Sequence, residues 1–248
     1  MVNKLCVAAW ERIGTPSPVL DWIQNGIRIP FNVLPTEFHF PNPILGPRDT
    51  AFINEEVDKL LQSGSIELCE NSRFVSPICC VPKKNGKLRL VHNLKHLNSF
   101  CNQTSYRNED IREVANVIQP NDFMITLDIK DGFHHVPVHV DDRDYLAFQW
   151  NGRLYRWRVL PFGLCCSPYY FSKFLRPVVK YLRSLGVRLV VYVDDFILMS
   201  TYESVTDHTD LLTDTLQDLG VCINFEKSVL TPSQTVEYIG YSVISVSS

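Results

Sequence analysis

A chain of 248 residues sets an expectation of one or two domains and is long enough to bury a substantial core. With 45% hydrophobic and 21% charged residues and ordinary glycine and proline usage, it is not a disordered tail, a collagen-like fibre or a low-complexity linker. The net charge of −3 hides an uneven spread, with −4 over residues 1–72, +6 over 73–112 and −5 over 113–248. That layout suits an anionic ligand on one side and metal-binding carboxylates on the other, although a solvated surface strand would carry the same basic block.

Residues 1–46 hold Pro16, Pro18, Pro30, Pro35, Pro41 and Pro43 and read as an irregular, mostly extended lead-in. A helix is expected over Pro47–Ser63, with Phe52, Ile53, Val57, Leu60 and Leu61 on one face and Gly64 as its stop. Apolar runs over 77–82 and 87–92 flank Lys83-Lys84-Asn85-Gly86, a hairpin signal. A short helix over 110–118 then leads into a strand over 123–129. A second Asn-Gly hairpin turns at Asn151-Gly152, between runs at 145–150 and 153–160.

Ser167 as N-cap and Pro168 in the first turn open a helix that buries Phe171, Phe174, Leu175, Val178, Val179 and Leu182, with Pro177 as a kink site and Gly186 at the end. Strands at 187–193 and 196–200 are expected to be joined by Asp194-Asp195. Ser204 with Asp207 makes a capping box for a helix stopped by Gly220, and stretches 221–223 and 236–243 complete the strands. The order implies an α+β fold, an antiparallel sheet with helices packed on one face.

Eight cysteines occur without any C-x-x-C and with two adjacent pairs, Cys79-Cys80 and Cys165-Cys166, inside apolar stretches. They read as buried free thiols of a reducing compartment rather than as a zinc ribbon or disulfide framework. His134, His135 and His139 are not expected to share a metal, because neighbours on a strand point to opposite faces.

The chemistry concentrates in Leu189-Val190-Val191-Tyr192-Val193-Asp194-Asp195-Phe196-Ile197-Leu198-Met199, two adjacent carboxylates between apolar arms. A hairpin turn prefers Asn-Gly or Asp-Gly, and paired like charges repel unless a cation holds them. The competing reading is an ordinary polar turn. Asp128 likewise ends the apolar run Met124-Ile125-Thr126-Leu127, where an unpaired carboxylate is costly.

On neighbouring strands, Asp128, Asp194 and Asp195 would form a hard oxygen cluster suited to Mg²⁺. Such a cluster would take two ions about 3.5–4 Å apart for in-line phosphoryl transfer. Lys83, Lys84, Lys87 and Arg89 would supply the counter-charge for a nucleoside triphosphate, Lys as a point charge and Arg as a bidentate fork.

These residues fall into motifs that resemble those of the reverse transcriptases of retroviruses and retrotransposons, of LTR-type and DIRS-like elements in particular. Leu127-Asp128-Ile129-Lys130-Asp131-Gly132-Phe133 is similar to the family's first catalytic motif. Leu160-Pro161-Phe162-Gly163-Leu164-Cys165-Cys166-Ser167-Pro168 is similar to its second, and Tyr192-Val193-Asp194-Asp195 to its Y-x-D-D signature. The run from Gly220 through Asn224-Phe225-Glu226-Lys227-Ser228 resembles the fourth motif. Tyr238-Ile239-Gly240-Tyr241 resembles the primer-grip hairpin, and Ser76-Pro77 through Arg89 resembles the fingers hairpin.

The resemblance implies an RNA-directed DNA polymerase built as fingers (47–122, with part of 139–160 returning to it) and palm (123–248, ending at the primer-grip hairpin), with thumb and ribonuclease H lying beyond this chain. It implies two Mg²⁺ ions, with Mn²⁺ able to substitute, on Asp128, Asp194, Asp195 and the backbone of Ile129, and dNTP contacts from Lys83, Lys84, Arg89, Asp131, Gly132 and Phe162. Phe133 becomes a steric gate against a 2′-OH, or alternatively plain core packing. Lys227 becomes a general acid for the pyrophosphate, or alternatively a surface lysine.

Tyr192, Gly163, Ser167, Pro168, Tyr238, Gly240 and Tyr241 fall to an RNA or DNA template with its primer. Asn93 and Lys95 stand where the family usually has an Asp–Arg pair. No run of 18 apolar residues is present, so no membrane partner is expected, and the apolar run over 5–10 is too short for a secretory leader. Cytoplasmic or nuclear action is therefore the expectation. A non-catalytic nucleic-acid-binding copy of the same fold is the alternative.

Overall fold

The computed structural model describes residues 4–102 and 105–247. Met1, where the lead-in starts, and Ser248, the last position assigned to the palm, lie outside the described residues. The chain divides into two compact units, one built from residues 21–105 and 133–170, the other from 4–20, 106–132 and 171–247.

The lead-in is partly helical rather than extended: α1 spans Val7–Arg12 and α2 spans Ser17–Asn25. Pro18 falls in the first turn of α2, where the missing N–H costs nothing, so the proline density there marks a helix start. Trp10 on α1 is fully buried, with its indole N–H donating to the Leu219 carbonyl at 3.0 Å.

In the first unit, β1 (Phe38–His39) precedes α3 (Pro47–Ser63), which has the expected bounds and is closed by Gly64 in the left-handed region at φ 76°. β2 (Ile66–Cys69) and β3 (Phe74–Val75) follow, then the basic hairpin β4 (Ile78–Pro82) and β5 (Leu88–His92). A one-turn helix α4 covers Lys95–Asn98. The Asn93 side-chain oxygen accepts from the Lys95 amide at 3.2 Å, an Asx turn that leads into this helix.

The second Asn-Gly hairpin joins β7 (Ala147–Trp150) to β8 (Arg153–Trp157), with Asn151 at φ 51° and Gly152 at φ 72°, the paired positive angles of a type I′ turn. Both arms are shorter than expected: Val140–Leu146 coils as a 3₁₀ segment, and beyond Trp157 Val159 makes only a bridge to Pro137; β1-β3-β7-β8-β2 form one mixed sheet. Gly132–His135 is a 3₁₀ turn, not a strand.

In the second unit, α5 (Ile111–Val117) is capped by the Asp110 carboxylate accepting from the Arg112 amide, and β6 (Phe123–Asp128) follows it. α6 spans Ser167–Ser184, its first four residues counted with the first unit and the rest with the second, and its predicted inward residues are buried. Ser167 does not cap forward; its buried hydroxyl donates to the Pro161 carbonyl at 2.8 Å. β9 (Arg188–Tyr192) and β10 (Asp195–Ser200) pair antiparallel, and α7 spans Val205–Leu219, closed by Gly220 at φ 87°.

The capping box at Ser204 is not made. Ser204 has helical angles that keep its hydroxyl from the first turn, and its own amide donates to the Thr201 hydroxyl. β11 (Val229–Ser233) occupies a stretch not expected as a strand, whereas 221–223 contributes only a bridge from Ile223 to Ile129. β12 (Thr235–Tyr238) and β13 (Tyr241–Ile244) make the last hairpin.

The central sheet is antiparallel, in the order β11-β6-β10-β9. Met124, Val190, Ile197 and Met199 on one face pack with Val114 of α5 and with Val236, Tyr238 and Val243 of the hairpin. Phe196 and Leu198, the alternate residues of β10, are equally buried on the other face. All eight cysteines are free thiols; only Cys101 and Cys166 are buried, Cys6 is exposed, and the remaining five are half-buried.

Candidate active site

The register of β6 against β10 places Asp195 directly opposite Asp128. Both backbone groups of Asp128 bond away from β10, its N–H to the Ser228 hydroxyl and its carbonyl to the Asn224 amide. The Asp128–Asp195 pair is therefore of the non-hydrogen-bonded kind, which brings facing side chains closest. Facing carboxylates destabilise a sheet, and a third stands beside them. Asp128, Asp194 and Asp195 each offer an oxygen within 4.8 Å of the others, and all three residues are half-buried.

The turn that carries Asp194 differs from expectation by one residue. Tyr192 and Asp195 are register partners, so the two central residues are Val193 and Asp194, and Asp195 is the first residue of β10. Val193 sits at φ 54°, while Asp194 keeps a negative φ. That pattern matches a type II′ turn, which normally places glycine first. A β-branched residue there stores about 1–3 kcal/mol of strain. Two bonds hold the strained turn. The Ile129 amide donates to the Asp194 carbonyl at 3.0 Å, and the Tyr238 hydroxyl donates to the Asp195 carbonyl at 2.7 Å.

Burial, and then the charge of Asp128, raises the Asp194 carboxyl above its ordinary range. Asp195 is pushed up to about 7 by burial, by its hydrogen bond with Asp128 and by the charge of Asp194. The Lys227 ammonium opposes both shifts from an exposed turn. Three converging carboxylates, with no thiol or imidazole among them, match a hard divalent cation.

Gly132 is buried beside them. A Cβ there would stand 2.8 Å from the Phe171 ring and 3.3 Å from Asp194 Cβ, so only glycine fits. Asp131 precedes it, exposed and at φ 49°, and Ile129 is buried at the end of β6. Tyr192 is partly exposed. Tyr238 is buried, its hydroxyl committed to the carboxylate-bearing strand, whereas Tyr241 is exposed beyond the Ile239-Gly240 turn.

In the first unit, Lys83, Lys84, Lys87 and Arg89 are all exposed on the β4–β5 hairpin, whose turn is closed by the Lys83 amide on the Lys87 carbonyl at 2.6 Å. Phe133 is buried against Phe162, ring centroids 4.8 Å apart, and Phe162 itself is 58% exposed. Gly163 holds φ 95°, and a Cβ there would lie 2.9 Å from the His92 carbonyl. Asn98 spans this motif, donating to the Gly163 carbonyl and accepting from the Cys165 amide. Ser167 is buried and Pro168 half-buried.

Asn98 and the clamping role of the Tyr238 hydroxyl were not foreseen. Both act through backbone carbonyls brought near by tertiary folding, for which a lone Asn or Tyr gives no sequence signal.

The family described as reverse transcriptase (RNA-dependent DNA polymerase) matches residues 81–243. The chain belongs to this reverse transcriptase family. The Transposon Tf2-3 polyprotein of Schizosaccharomyces pombe is 30% identical over 222 residues, covering 86% of this chain, and the chain spans 16% of that polyprotein's length. Among solved structures, a foamy viral protease-reverse transcriptase in complex with dsDNA superposes with a TM-score of 0.74 at 25% identity, over 86% of this chain and 44% of that one. The selenomethionine-labelled CSH mutant of the Prototype Foamy Virus protein gives 0.72 at 26% identity, over 87% and 29%. The reverse transcriptase match includes all three clustered aspartates and both Asn-Gly hairpins' neighbouring strands from Val81 onward.

Proposed function

We propose that this chain is the fingers and palm of a retroelement RNA-directed DNA polymerase that adds deoxynucleotides to a primer 3′-OH. The observation that carries the reading is the convergence of Asp128, Asp194 and Asp195 within one 4.8 Å cluster. Asp128 and Asp194 would hold two Mg²⁺ ions directly, with Asp195 the least direct ligand and Mn²⁺ able to substitute. When bound, such ions activate the attacking hydroxyl and stabilise the attacking and leaving oxygens of an in-line displacement.

The chain's own groups do the rest. Lys83, Lys84 and Arg89 neutralise the triphosphate, Arg89 as a bidentate fork. The backbone of Asp131 and Gly132 meets the phosphates, and Phe162 packs near the incoming base. The Phe133 ring lies under the sugar and excludes a 2′-OH. Lys227 Nζ gives a proton to the departing pyrophosphate. Tyr192, Gly163, Ser167 and Pro168 support the template and primer, and Tyr238, Gly240 and Tyr241 hold the primer end.

The nucleic acid is gripped through its backbone, so binding falls steeply with salt and varies little with sequence. The relative solved with dsDNA supports a duplex as the ligand. The test is primer extension by the full-length protein on poly(rA)/oligo(dT), with Asp194→Asn as control. Extension abolished by the substitution supports the enzyme. Template binding without extension in the wild type supports a non-catalytic copy of the fold, and preference for a DNA template supports a DNA-directed polymerase.

A further inference from the structure

Residues 222–229 run antiparallel to the end of β6, and they leave it and return. At one end the Lys130 amide donates to the Cys222 carbonyl at 2.9 Å, and Ile129 bridges Ile223; at the other, Val229 is the register partner of Thr126. Between these anchors Leu127 and Asp128 face the longer stretch 224–228, which loops outward and carries Phe225, Glu226 and Lys227 on its exposed tip.

The excursion removes the carbonyl that a continuous strand would offer to the Asp128 N–H. An unsatisfied amide is costly at a half-buried strand end. Here the Ser228 hydroxyl takes that place, accepting from the Asp128 N–H at 2.9 Å. The same hydroxyl donates to the Asn224 carbonyl at 2.7 Å, and the Ser228 amide donates there as well at 3.0 Å. Asn224 completes the arrangement. Its amide donates to the Asp128 carbonyl at 2.8 Å, and its side-chain oxygen accepts from the Lys227 amide at 3.3 Å. One closed set of bonds therefore fixes both backbone groups of Asp128 and the turn that presents Lys227.

We infer that Ser228 and Asn224 are positioning residues, which hold the Asp128 carboxylate in the cation cluster and set the Lys227 turn by replacing the backbone acceptor that the excursion removes. A hydroxyl suits the task because it is short, accepts and donates at once, and is uncharged beside three carboxylates. Threonine keeps those properties, alanine removes them, and cysteine keeps the shape with a much weaker acceptor.

The inference rests on the polymerase reading, and the experiment separates the two. In the full-length protein, Mn²⁺ binding is followed by electron paramagnetic resonance and dNTP kinetics by primer extension, for the wild type, Ser228→Ala, Ser228→Cys, Ser228→Thr and Asn224→Ala. Loss of a group that orients a metal ligand typically costs about 10–100-fold in affinity or activity. Ser228→Ala is expected to weaken Mn²⁺ binding about tenfold and to lower kcat by a similar factor, with KM for dNTP changed less than about twofold. Ser228→Thr restores both, and Ser228→Cys falls between.

Unchanged Mn²⁺ affinity and kcat in Ser228→Ala would overturn the inference. So would a loss that threonine does not restore, or one that matches a fall in folded fraction by circular dichroism. Should the alanine variant fail to fold, the cysteine variant is read by the same criteria. Wild type that extends no primer, with Mn²⁺ affinity still lowered in Ser228→Ala, would refute the polymerase reading and leave the positioning role standing.

Discussion

Replacing Asp195 with asparagine should abolish extension and also make the metal-free protein more stable. Two unit charges 4.8 Å apart, the outer limit of the aspartate cluster, repel by about 3.5 kcal/mol at an effective dielectric of about 20. The site is only half-buried, and solvent screening brings the gain down to about 1–2 kcal/mol. In a chain of this size that raises the melting midpoint by about 2–8 °C. Asparagine keeps a donor for Asp128 while removing the charge, so the gain is not offset by a lost hydrogen bond.

The pH dependence follows from the same shift. The Asp195 pKa of about 7 in the folded chain lies above its ordinary value of 3.8, so the folded state holds the proton more tightly. The resulting stability is complete below about pH 4 and fades as pH rises through about 7. The gap between variant and wild type should therefore be widest at pH 8 and narrow at pH 5. Differential scanning fluorimetry in EDTA measures it, and added Mg²⁺ should raise the wild type more than the variant. An Asp195→Asn midpoint at or below that of the wild type at pH 8, or a gap indifferent to pH, would refute the reasoning.

Arg188 forms two 2.6 Å bonds to the buried Asp122 carboxylate and a third bond to the Val117 carbonyl. Arg188→Ala strands that charge and should cost about 3–5 kcal/mol in urea unfolding. Gly132→Ala forces a methyl group against the Phe171 ring and should lower stability by about 1–3 kcal/mol, measured the same way. The Cys165 thiol is pulled down to about 7, first by its hydrogen bond with Cys101, whereas Cys101 itself is raised. Iodoacetamide labelling of Cys165, followed by peptide mass spectrometry, should quicken about eightfold between pH 6 and 7.5, and Cys101→Val should slow labelling at pH 7.5 and steepen that rise to about thirtyfold.

What was legible in the sequence is what local chemistry determines. Gly64 and Gly220 stop helices because they sit at left-handed angles, and Asn151-Gly152 turns a hairpin because both residues accept positive φ. Asp128 and the paired aspartates announced themselves as charges at the ends of apolar strands. The failures need tertiary information. β1 and β3 are two-residue strands in parallel pairs whose partners lie far along the chain, and β11 returns to β6 only after a register shift. The prolines around α2 read as breakers because composition alone does not say which turn they occupy. The carboxylate turn was misplaced by one residue, because nothing local predicts that valine will accept φ 54°. Ser228 was invisible for a related reason: its task exists only once the opposing strand has departed.

The N-terminal segment bears on how this protein is divided for study. The Cys6 amide and the Trp10 indole both donate to the Leu219 carbonyl, the indole lies 4.6 Å from the Phe174 ring, and the Lys4 carbonyl fills the space where a Gly220 side chain would stand. A fragment trimmed to the family match at Val81 would discard this plug and open a hollow beneath α7 worth about 3–5 kcal/mol, the usual toll for emptying a buried tryptophan site. Expression boundaries set at the family match would thus weaken the second unit, and a stable product should keep the chain from Lys4 onward.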